Sequence, residues 1–426
     1  MIQKLKRLRF LWDDRYVYPW LLKQGRFRKL YSHLWSRFLV RDVAGGGLDW
    51  FWRRFPSLLG IPKEVEFEIT TRCGLRCVMC EHTHWDHTKY AKQDISAVQL
   101  EQILKNWPSL RYVGIQGMGT PFLNKDFKQI VRLLDDRGIF INIVENFNDV
   151  SDDDLELIVK TVDRIDLSLD ACSKELYEKI RPGSKFEKVI NNISKCKELK
   201  LKYNSPFPSF FVRIVSFKEN FHELPGIIDL VGSLDLNNGG EVVIEISGLL
   251  VFEKIASLVD KTIQAPKEIF DACNDAQKKY GAKIRLIFNR SQQNKKVDSC
   301  TKWVQPFVMA NGDLVMDCGV MMSDDRLNLH AKTFGNVIDK SIKDIWNGEE
   351  YKRHRSAVNN LKAPVPETCS ECRSYDSDHR KLVHGVMKIN EAEVRQFQTE
   401  KTSGVVVMLN EPARYKKIYL KEFGKK

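Results

Sequence analysis

The sequence lacks any uncharged apolar run close to the roughly 18 residues that a transmembrane helix needs. Residues 1–9 are basic, but neither an apolar signal core nor a small-residue cleavage site follows them. Low-complexity tracts and internal repeats are also missing. We therefore expect no membrane-spanning, secreted or repeat protein, but a cytoplasmic one for which association with a membrane surface stays open.

Size and composition exclude disorder and disulfide stapling. The chain has 426 residues, of which 43% are hydrophobic and 29% charged, as is ordinary for globular proteins. A chain of this length buries enough apolar surface to fold without covalent cross-links. Its ten cysteines therefore need another explanation than a disulfide scaffold.

The net charge of +12 is concentrated at one end of the chain. Residues 1–60 hold thirteen Lys and Arg against four Asp and Glu, together with five of the nine Trp. Three interpretations of this basic, aromatic extension stay open: packing on the rest of the protein, contact with an anionic membrane surface, or binding of single-stranded nucleic acid. Nucleic acid is the least favoured of these partners.

From about residue 61 the pattern becomes an alternation of strands and helices. Ser96 and Gln99 form a capping box that opens one predicted helix. A second predicted helix starts at Asp126 and ends at the stop signal of Gly138. The alternation predicts parallel β/α architecture, either a barrel or part of one, and an open doubly wound sheet has a similar pattern. The predicted strands are Val65–Thr70, Tyr112–Gln116, Phe140–Val144, Ile165–Leu169, Phe210–Val215, Val242–Ile246 and Ile284–Phe288.

The alternation ends near residue 290, where shorter strands, turns and four cysteines begin. The last forty residues are basic and contain one strand-like run, Val405–Leu409. We therefore predict four parts: a basic aromatic extension (1–60), a core of strands and helices (61–290), a small cysteine-containing domain (291–385) and a basic C-terminal tail (386–426).

The first cysteine cluster, Cys73, Cys77 and Cys80, has the spacing CxxxCxxC and directly follows the first predicted strand. Three thiolates in one loop can converge on a soft metal centre, either an iron–sulfur cluster or zinc. A cluster bound by three cysteines keeps one iron open for a substrate or cofactor. The rival is a zinc site completed by one of the histidines that follow, His82, His84 and His87.

This motif and its position resemble those of the radical S-adenosylmethionine (SAM) superfamily. The resemblance implies a partial (β/α)6 TIM-like barrel in which Cys73, Cys77 and Cys80 hold a [4Fe-4S] cluster. The amino and carboxylate groups of SAM would chelate the fourth iron. Met79, the apolar residue before the third cysteine, would pack beside the adenine.

Two further segments resemble SAM-binding motifs of the family. Gly117, Gly119, Thr120 and Pro121 follow the second strand, as does the glycine-rich motif that contacts the SAM amino group. The family usually has Glu where this chain has Thr120, so a carboxylate that would hold the ammonium group is absent there.

The second segment ends the fourth strand. Ser168 and Asp170 share one face of it and are similar to residues that contact the SAM ribose and carboxylate. Arg213 on the fifth strand and Glu245 on the sixth could point into the barrel, as site residues or as a structural ion pair. The sequence identifies no catalytic base.

The second cysteine set consists of Cys300, Cys318, Cys369 and Cys372. Four cysteines form either a structural zinc site or an iron–sulfur site. Residues 334–347 between them resemble the C-terminal auxiliary-cluster extension of radical SAM enzymes, of the SPASM or twitch type. Because no cysteine follows Cys372, the resemblance is to the shorter form, with one auxiliary [4Fe-4S] cluster bound by these four residues.

The resemblance implies an oxidoreductase that cleaves SAM reductively to a 5′-deoxyadenosyl radical, which takes hydrogen from an organic substrate. The auxiliary cluster would handle electrons during oxidation or crosslinking of a peptide, sugar or lipid-linked small molecule. An external donor such as flavodoxin or ferredoxin would supply the electrons. The alternatives are an iron–sulfur electron carrier or scaffold without SAM chemistry, and a zinc-stabilised interaction protein.

Overall fold

Seven parallel strands form the centre of the protein, side by side in chain order. The computed structural model describes residues 17–36, 60–85, 92–249, 265–289, 302–316, 333–358, 360, 362–366, 369 and 386–387. The strands are β1 (Glu64–Phe67), β2 (Tyr112–Ile115), β3 (Phe140–Glu145), β4 (Arg164–Ser168), β5 (Ser209–Ser216), β6 (Val242–Gly248) and β7 (Ile284–Asn289). Each pairs in parallel with the next, which confirms the predicted α/β fold with a parallel sheet.

Helices connect the strands, and local signals in the sequence set several of their ends. The predicted capping box of Ser96 and Gln99 is present, and Ser151 and Asp154 form a second one. Gly138, with φ of +67°, follows the fourth helix as predicted. The helices are α1 (Val17–Lys23), α2 (Phe27–Trp35), α3 (Ala97–Asn106), α4 (Phe127–Asp136), α5 (Asp152–Thr161), α6 (Lys174–Ile180), α7 (Phe186–Lys202), α8 (Leu224–Leu234), α9 (Lys267–Tyr280), α10 (Ile342–Asn347) and α11 (Glu349–Val358).

Side chains of the central strands alternate between two environments. One face is apolar and forms the core; Val65 and Phe67 of β1 and Ile141 and Ile143 of β3 are each at most 2% exposed. Burying such a side chain stabilises the fold by about 1.5–3 kcal/mol. The other face is largely polar, and its members include Glu64, Glu66, Asn142, Arg164, Asp166, Arg213 and Glu245.

The helix pair α1–α2 packs against the N-terminal ends of β3 and β4. Ser32 Oγ donates a hydrogen bond of 2.6 Å to the carbonyl oxygen of Gly138, just before β3. Lys29 Nζ lies 2.9 Å from Asp163 Oδ2, and His33 Nε2 lies 2.8 Å from Asp163 Oδ1, just before β4. For residues 17–36 of the basic extension, packing on the barrel is therefore observed. No helix among the described residues is long and apolar enough to cross a membrane.

A hairpin from the C-terminal third extends the sheet beyond β1. Strand β8 (Phe307–Val308) pairs in parallel with β1 and antiparallel with β9 (Leu314–Val315). Strands β10 (Val365–Pro366) and β11 (Val386–Met387) form a separate parallel pair. The hairpin falls within the predicted cysteine-containing domain, so this part of the chain adjoins the first strand of the core. The predicted run Val405–Leu409 lies outside the described residues.

Candidate active site

The loop after β1 carries the first cysteine motif, and a carboxylate fixes its start. Thr70 Oγ1 donates to Asp94 Oδ1 at 2.6 Å, and Arg72 Nε donates to Asp94 Oδ2 at 2.7 Å. The backbone N–H of Thr71 donates to the carbonyl oxygen of Gln93 at 2.9 Å. These contacts direct the chain from the C-terminal end of β1 across the same end of the neighbouring strand β2.

The C-terminal end of α6 and the residues after it support the middle of this loop. The N–H of Arg76 donates to the carbonyl oxygen of Pro182 at 2.8 Å, and that of Val78 donates to Ile180 at 3.0 Å. The loop thus rests on residues that follow β4, far away in sequence. The positions of the thiols therefore depend on the backbone that follows β4 as well as on the end of β1.

The three thiols of the loop are free and stand close to one another. Cys77 is buried, whereas Cys73 and Cys80 are half-buried. Burial, followed by the charge of neighbouring Cys77, raises the pKa of Cys80 to about 12. Burial also raises the pKa of Cys77. Thiolates in these positions need a cationic partner, and iron ions provide one. Met79, between them in sequence, is half-buried and packs against the core.

The histidines beside the loop contact backbone carbonyl oxygens. Among the described residues, no three His, Cys, Asp or Glu side chains converge closely enough to hold a single ion. His82 Nε2 lies 3.1 Å from the carbonyl oxygen of Thr71, and His84 Nε2 lies 3.4 Å from that of Val78. These two ring nitrogens face backbone carbonyls, and His87 lies outside the described residues.

The turn after β2 packs directly onto the cysteine loop. A β-carbon at Gly119 would stand 2.2 Å from the carbonyl oxygen of Thr70, so only glycine allows this approach. Gly117 also packs closely, with Glu68 next to it. Thr120 is 3% exposed, and its Oγ1 lies 3.5 Å from Cys73 Sγ as a hydrogen-bond donor. The residue at the position of the family's usual Glu therefore contacts a thiol.

The segment after β4 joins a buried ion pair to the second thiol. Arg181 Nε donates to Asp170 Oδ2 at 2.8 Å, and Nη2 contacts the same oxygen. The N–H of Val215 donates to Asp170 Oδ1 at 2.8 Å. Arg181 Nη1 lies 3.8 Å from Cys77 Sγ. Burial alone would lower the pKa of Arg181, but the Asp170 carboxylate outweighs it and the pKa is raised. Ser168, two residues before Asp170, is half-buried at the end of β4.

Charged side chains also meet on the polar face of the central strands. Arg213 Nη2 lies 2.8 Å from Asp166 Oδ2, and its Nη1 lies 2.6 Å from Glu245 Oε2. Arg164 Nε lies 2.7 Å from Asp166 Oδ1 and 3.0 Å from Asn142 Oδ1. Arg213 and Glu245 thus form the ion pair that the sequence left open. The Arg213 side chain is still 43% exposed.

Two acidic residues that sequence reasoning missed lie beneath the cysteine loop. Glu145, the last residue of β3, is 4% exposed and accepts a hydrogen bond of 2.7 Å from the N–H of Asn146. Burial raises the pKa of Glu145 to about 8, and nearby Asp149 adds to this shift. Asp149 Oδ2 is 3.8 Å from where a β-carbon of Gly74 would stand. The sequence contains no motif for these residues, because their burial depends on the folded position of the cysteine loop.

Of the second cysteine set, the described residues include only Cys369. This cysteine is buried, with 4% of its surface exposed. Cys300, Cys318 and Cys372 lie outside the described residues. Trp303 and Trp346 belong to the same hydrophobic core as Cys369, and their rings stack with the centres 5.9 Å apart. The four-cysteine ligand set therefore stays a prediction.

Comparison with known proteins gives two family matches and a curated relative. Residues 67–231 match the radical SAM superfamily, and residues 300–373 match SPASM, an iron–sulfur cluster-binding domain. The chain is 26% identical over 330 residues to the tungsten-containing aldehyde ferredoxin oxidoreductase cofactor-modifying protein of Pyrococcus furiosus. That alignment covers 74% of this chain and 88% of the relative.

Two solved proteins share the fold. SuiB of Streptococcus suis bound to S-adenosylmethionine has a TM-score of 0.55 at 14% identity, covering 75% of this chain and 73% of SuiB. SuiB bound to the precursor peptide SuiA has a TM-score of 0.53 at 15% identity, covering 71% and 69%. Native anSMEcpe with bound AdoMet has a TM-score of 0.51 at 17% identity, covering 73% and 88%.

Proposed function

The chain is an enzyme of the radical SAM superfamily with a C-terminal SPASM domain, and on this premise we propose the roles of its residues. Cys73, Cys77 and Cys80 hold the [4Fe-4S] cluster at the C-terminal ends of β1, β2 and β4. A cluster bound there would supply one electron for reductive cleavage of SAM to a 5′-deoxyadenosyl radical, which would take a hydrogen atom from the substrate. The observation that supports this most is the loop itself, whose thiols meet between Thr120 and Arg181.

The surroundings of the loop suit an iron–sulfur cluster. Hydrogen bonds to cysteine sulfur stabilise the reduced form of such clusters. Cys73 Sγ accepts from the N–H of Leu75 at 3.4 Å and from Thr120 Oγ1 at 3.5 Å. The guanidinium of Arg181 places a positive charge beside Cys77. Thr120 and Arg181 therefore lower the electrostatic cost of adding an electron to a cluster that is bound in the loop.

SAM binds, in this proposal, on the open side of the loop. Gly117 and Gly119 let the backbone after β2 approach the ligand, and Pro121 keeps the turn rigid. Ser168 contributes a hydroxyl from the end of β4, and Met79 an apolar contact for the adenine. Asp170 acts mainly through Arg181, because its carboxylate is fully buried and already bonded.

The polar face of the strands suggests which substrate group enters the barrel. Arg213, held by Asp166 and Glu245, can donate further hydrogen bonds to a polar group. Long apolar chains would leave these charges desolvated at a high energetic cost. We therefore propose a polar substrate group, such as part of a peptide or a sugar. The binding of the precursor peptide SuiA by SuiB, which shares the fold, supports the peptide class.

The SPASM domain completes the proposal with an electron-transfer site. Cys300, Cys318, Cys369 and Cys372 bind one auxiliary [4Fe-4S] cluster, with all four ligand positions filled by the protein. Such a cluster suits electron transfer better than direct substrate binding. An external donor such as flavodoxin or ferredoxin supplies the electrons.

Anaerobic reconstitution tests these roles. We expect about eight irons per chain, the sum for two [4Fe-4S] clusters, and formation of 5′-deoxyadenosine from SAM under reduction. Replacing Cys73, Cys77 and Cys80 by Ala should abolish SAM cleavage and remove about half of the iron. Cys273→Ala, a buried core thiol on α9, is the matched control and should keep both.

Three outcomes would contradict the proposal. SAM cleavage retained by the triple Cys variant would show that these thiols do not hold the cluster. Bound iron without any SAM cleavage in the wild-type protein would favour an electron carrier instead. Zinc in place of iron after anaerobic purification would favour a structural metal site.

A further inference from the structure

The helix pair α1–α2 exposes apolar side chains at the end of the barrel opposite to the cysteine loop. Phe27 is 64% exposed and Tyr31 is 48% exposed, and their spacing of four residues places them on one face of α2. Leu22, the penultimate residue of α1, is 50% exposed. The buried Ser32 and His33 show that a different face of α2 packs on the barrel. Exposed apolar side chains that lie together can form an interaction surface.

A cavity of about 630 Å³ opens beside this face. It lies near the N-terminal ends of the strands, because Arg111 directly precedes β2 and Ile139 directly precedes β3. Its volume suits a small-molecule headgroup. The lining residues are Phe27, Arg28, Tyr31, Ser32, Leu104, Trp107, Pro108, Leu110, Arg111, Arg137 and Ile139.

The charge of the cavity is positive. Arg28, Arg111 and Arg137 line it, and no acidic residue does. Within the described part of the chain, none of the three forms an ion pair with a carboxylate. Partial burial, and then the positive charge of Arg111, lower the pKa of nearby Lys63. An anion placed here would meet three guanidinium groups, of which that of Arg111 also donates through Nη1 to the carbonyl oxygens of Pro108 and Leu110.

The combination of charge and exposed rings points to one kind of partner. Residues 17–36 contain four Lys and Arg and no Asp or Glu. Arginines suit a phosphate group, while rings beside them suit the boundary between headgroups and acyl chains. A free phosphate would explain the arginines but not the exposed Phe27 and Tyr31. An anionic phospholipid surface presents both a phosphate and an apolar layer at the required distance from each other.

We propose that this face binds an anionic phospholipid surface, with a headgroup in the cavity among Arg28, Arg111 and Arg137. Phe27 and Tyr31 then enter the interfacial layer. The N-terminal ends of the strands face the membrane in this arrangement. The C-terminal ends, with the cysteine loop, face away from it and stay open to the electron donor.

Vesicle binding by the full-length protein tests the proposal. The wild-type protein should sediment with vesicles of phosphatidylcholine and phosphatidylserine, and much less with phosphatidylcholine alone. Replacing both Arg28 and Arg137 by Gln should weaken binding about thirtyfold, because two cationic contacts are lost. Arg132→Gln is the matched control, since Arg132 is exposed on α4 outside the cavity.

A second pair of variants tests the aromatic contact. Phe27→Ser should weaken vesicle binding, whereas Val98→Ser, at a residue of α3 that is 76% exposed, should not. All variants should cleave SAM normally without vesicles, which shows that they are folded.

Three results would overturn the proposal. The first is a wild-type protein that does not bind the anionic vesicles, and the second is a double arginine variant that binds them as tightly as the wild type. The third is that a single-stranded oligonucleotide releases the protein from anionic vesicles and binds to the same arginines more tightly than the vesicles do. That result would assign the face to nucleic acid.

Discussion

The substitution Asp170→Asn probes the buried ion pair that joins β4 to the cysteine loop. Asp170 is fully buried and the Arg181 side chain is 10% exposed, so the guanidinium would lose its charge partner without gaining water. Breaking one side of a buried pair costs about 3–5 kcal/mol. This is a large part of the roughly 5–15 kcal/mol by which folded domains are stable. We therefore expect a marked fall in the free energy of unfolding.

Urea denaturation of the iron-free protein measures this effect. The matched control is Asp153→Asn, whose carboxylate is 85% exposed and lies 3.0 Å from Lys128 Nζ. An exposed pair of this kind contributes about 0–1 kcal/mol. The reasoning is refuted if the two variants lose the same stability.

A double variant keeps the test decisive even if Asp170→Asn does not fold. Replacing Arg181 by Gln as well removes the unpaired charge, so the double variant should regain part of the lost stability. It should still cleave SAM poorly, because Arg181 no longer lies beside Cys77. Normal SAM cleavage by the double variant would show that the pair does not position the loop.

Three further predictions concern residues around the loop. Because burial raises the pKa of Glu145 from 4.5 to about 8, the folded protein keeps a proton that the unfolded chain releases, and stability falls as pH rises between these values. Glu145→Gln should remove this slope, of at most about 1.4 kcal/mol per pH unit, in urea denaturation of iron-free protein from pH 5 to 8; an unchanged slope would contradict it. Thr120→Val removes the donor to Cys73 and should lower the reduction potential of the cluster in a potentiometric EPR titration, whereas Thr120→Ser should leave it unchanged. Gly119→Ala should reduce iron content and SAM cleavage, since its β-carbon would stand 2.2 Å from a backbone oxygen of the loop; Gly74→Ala, with its nearest atom at 3.8 Å, should be tolerated, and equal behaviour of the two would refute the steric argument.

Much of the fold could be predicted because its signals are local. The strand β2 was predicted as Tyr112–Gln116 and is observed at Tyr112–Ile115. Side-chain alternation and apolar runs report burial directly, so they locate strands to within a few residues. The capping box at Ser96 and the stop at Gly138 depend on neighbouring residues only. Such features need no knowledge of distant contacts.

Contacts between distant residues could not be predicted from these patterns. Lys29 and Asp163 are far apart in sequence, and only the packing of α2 on the barrel brings them to 2.9 Å. Arg181 was noted for its position after a helix, but its bond to Asp170 and its contact with Cys77 depend on the folded loop. Glu145 carried no motif, and its shifted pKa follows from burial that only the tertiary structure creates.

The most direct test of the central claim is the EPR spectrum of the reduced, full-length protein with and without SAM. If Cys73, Cys77 and Cys80 hold a cluster that binds SAM, adding SAM should change the spectrum of the wild-type protein. The same addition should leave the spectrum of Cys80→Ala unchanged. A wild-type spectrum that is identical with and without SAM, or a change that persists in Cys80→Ala, would contradict the assignment.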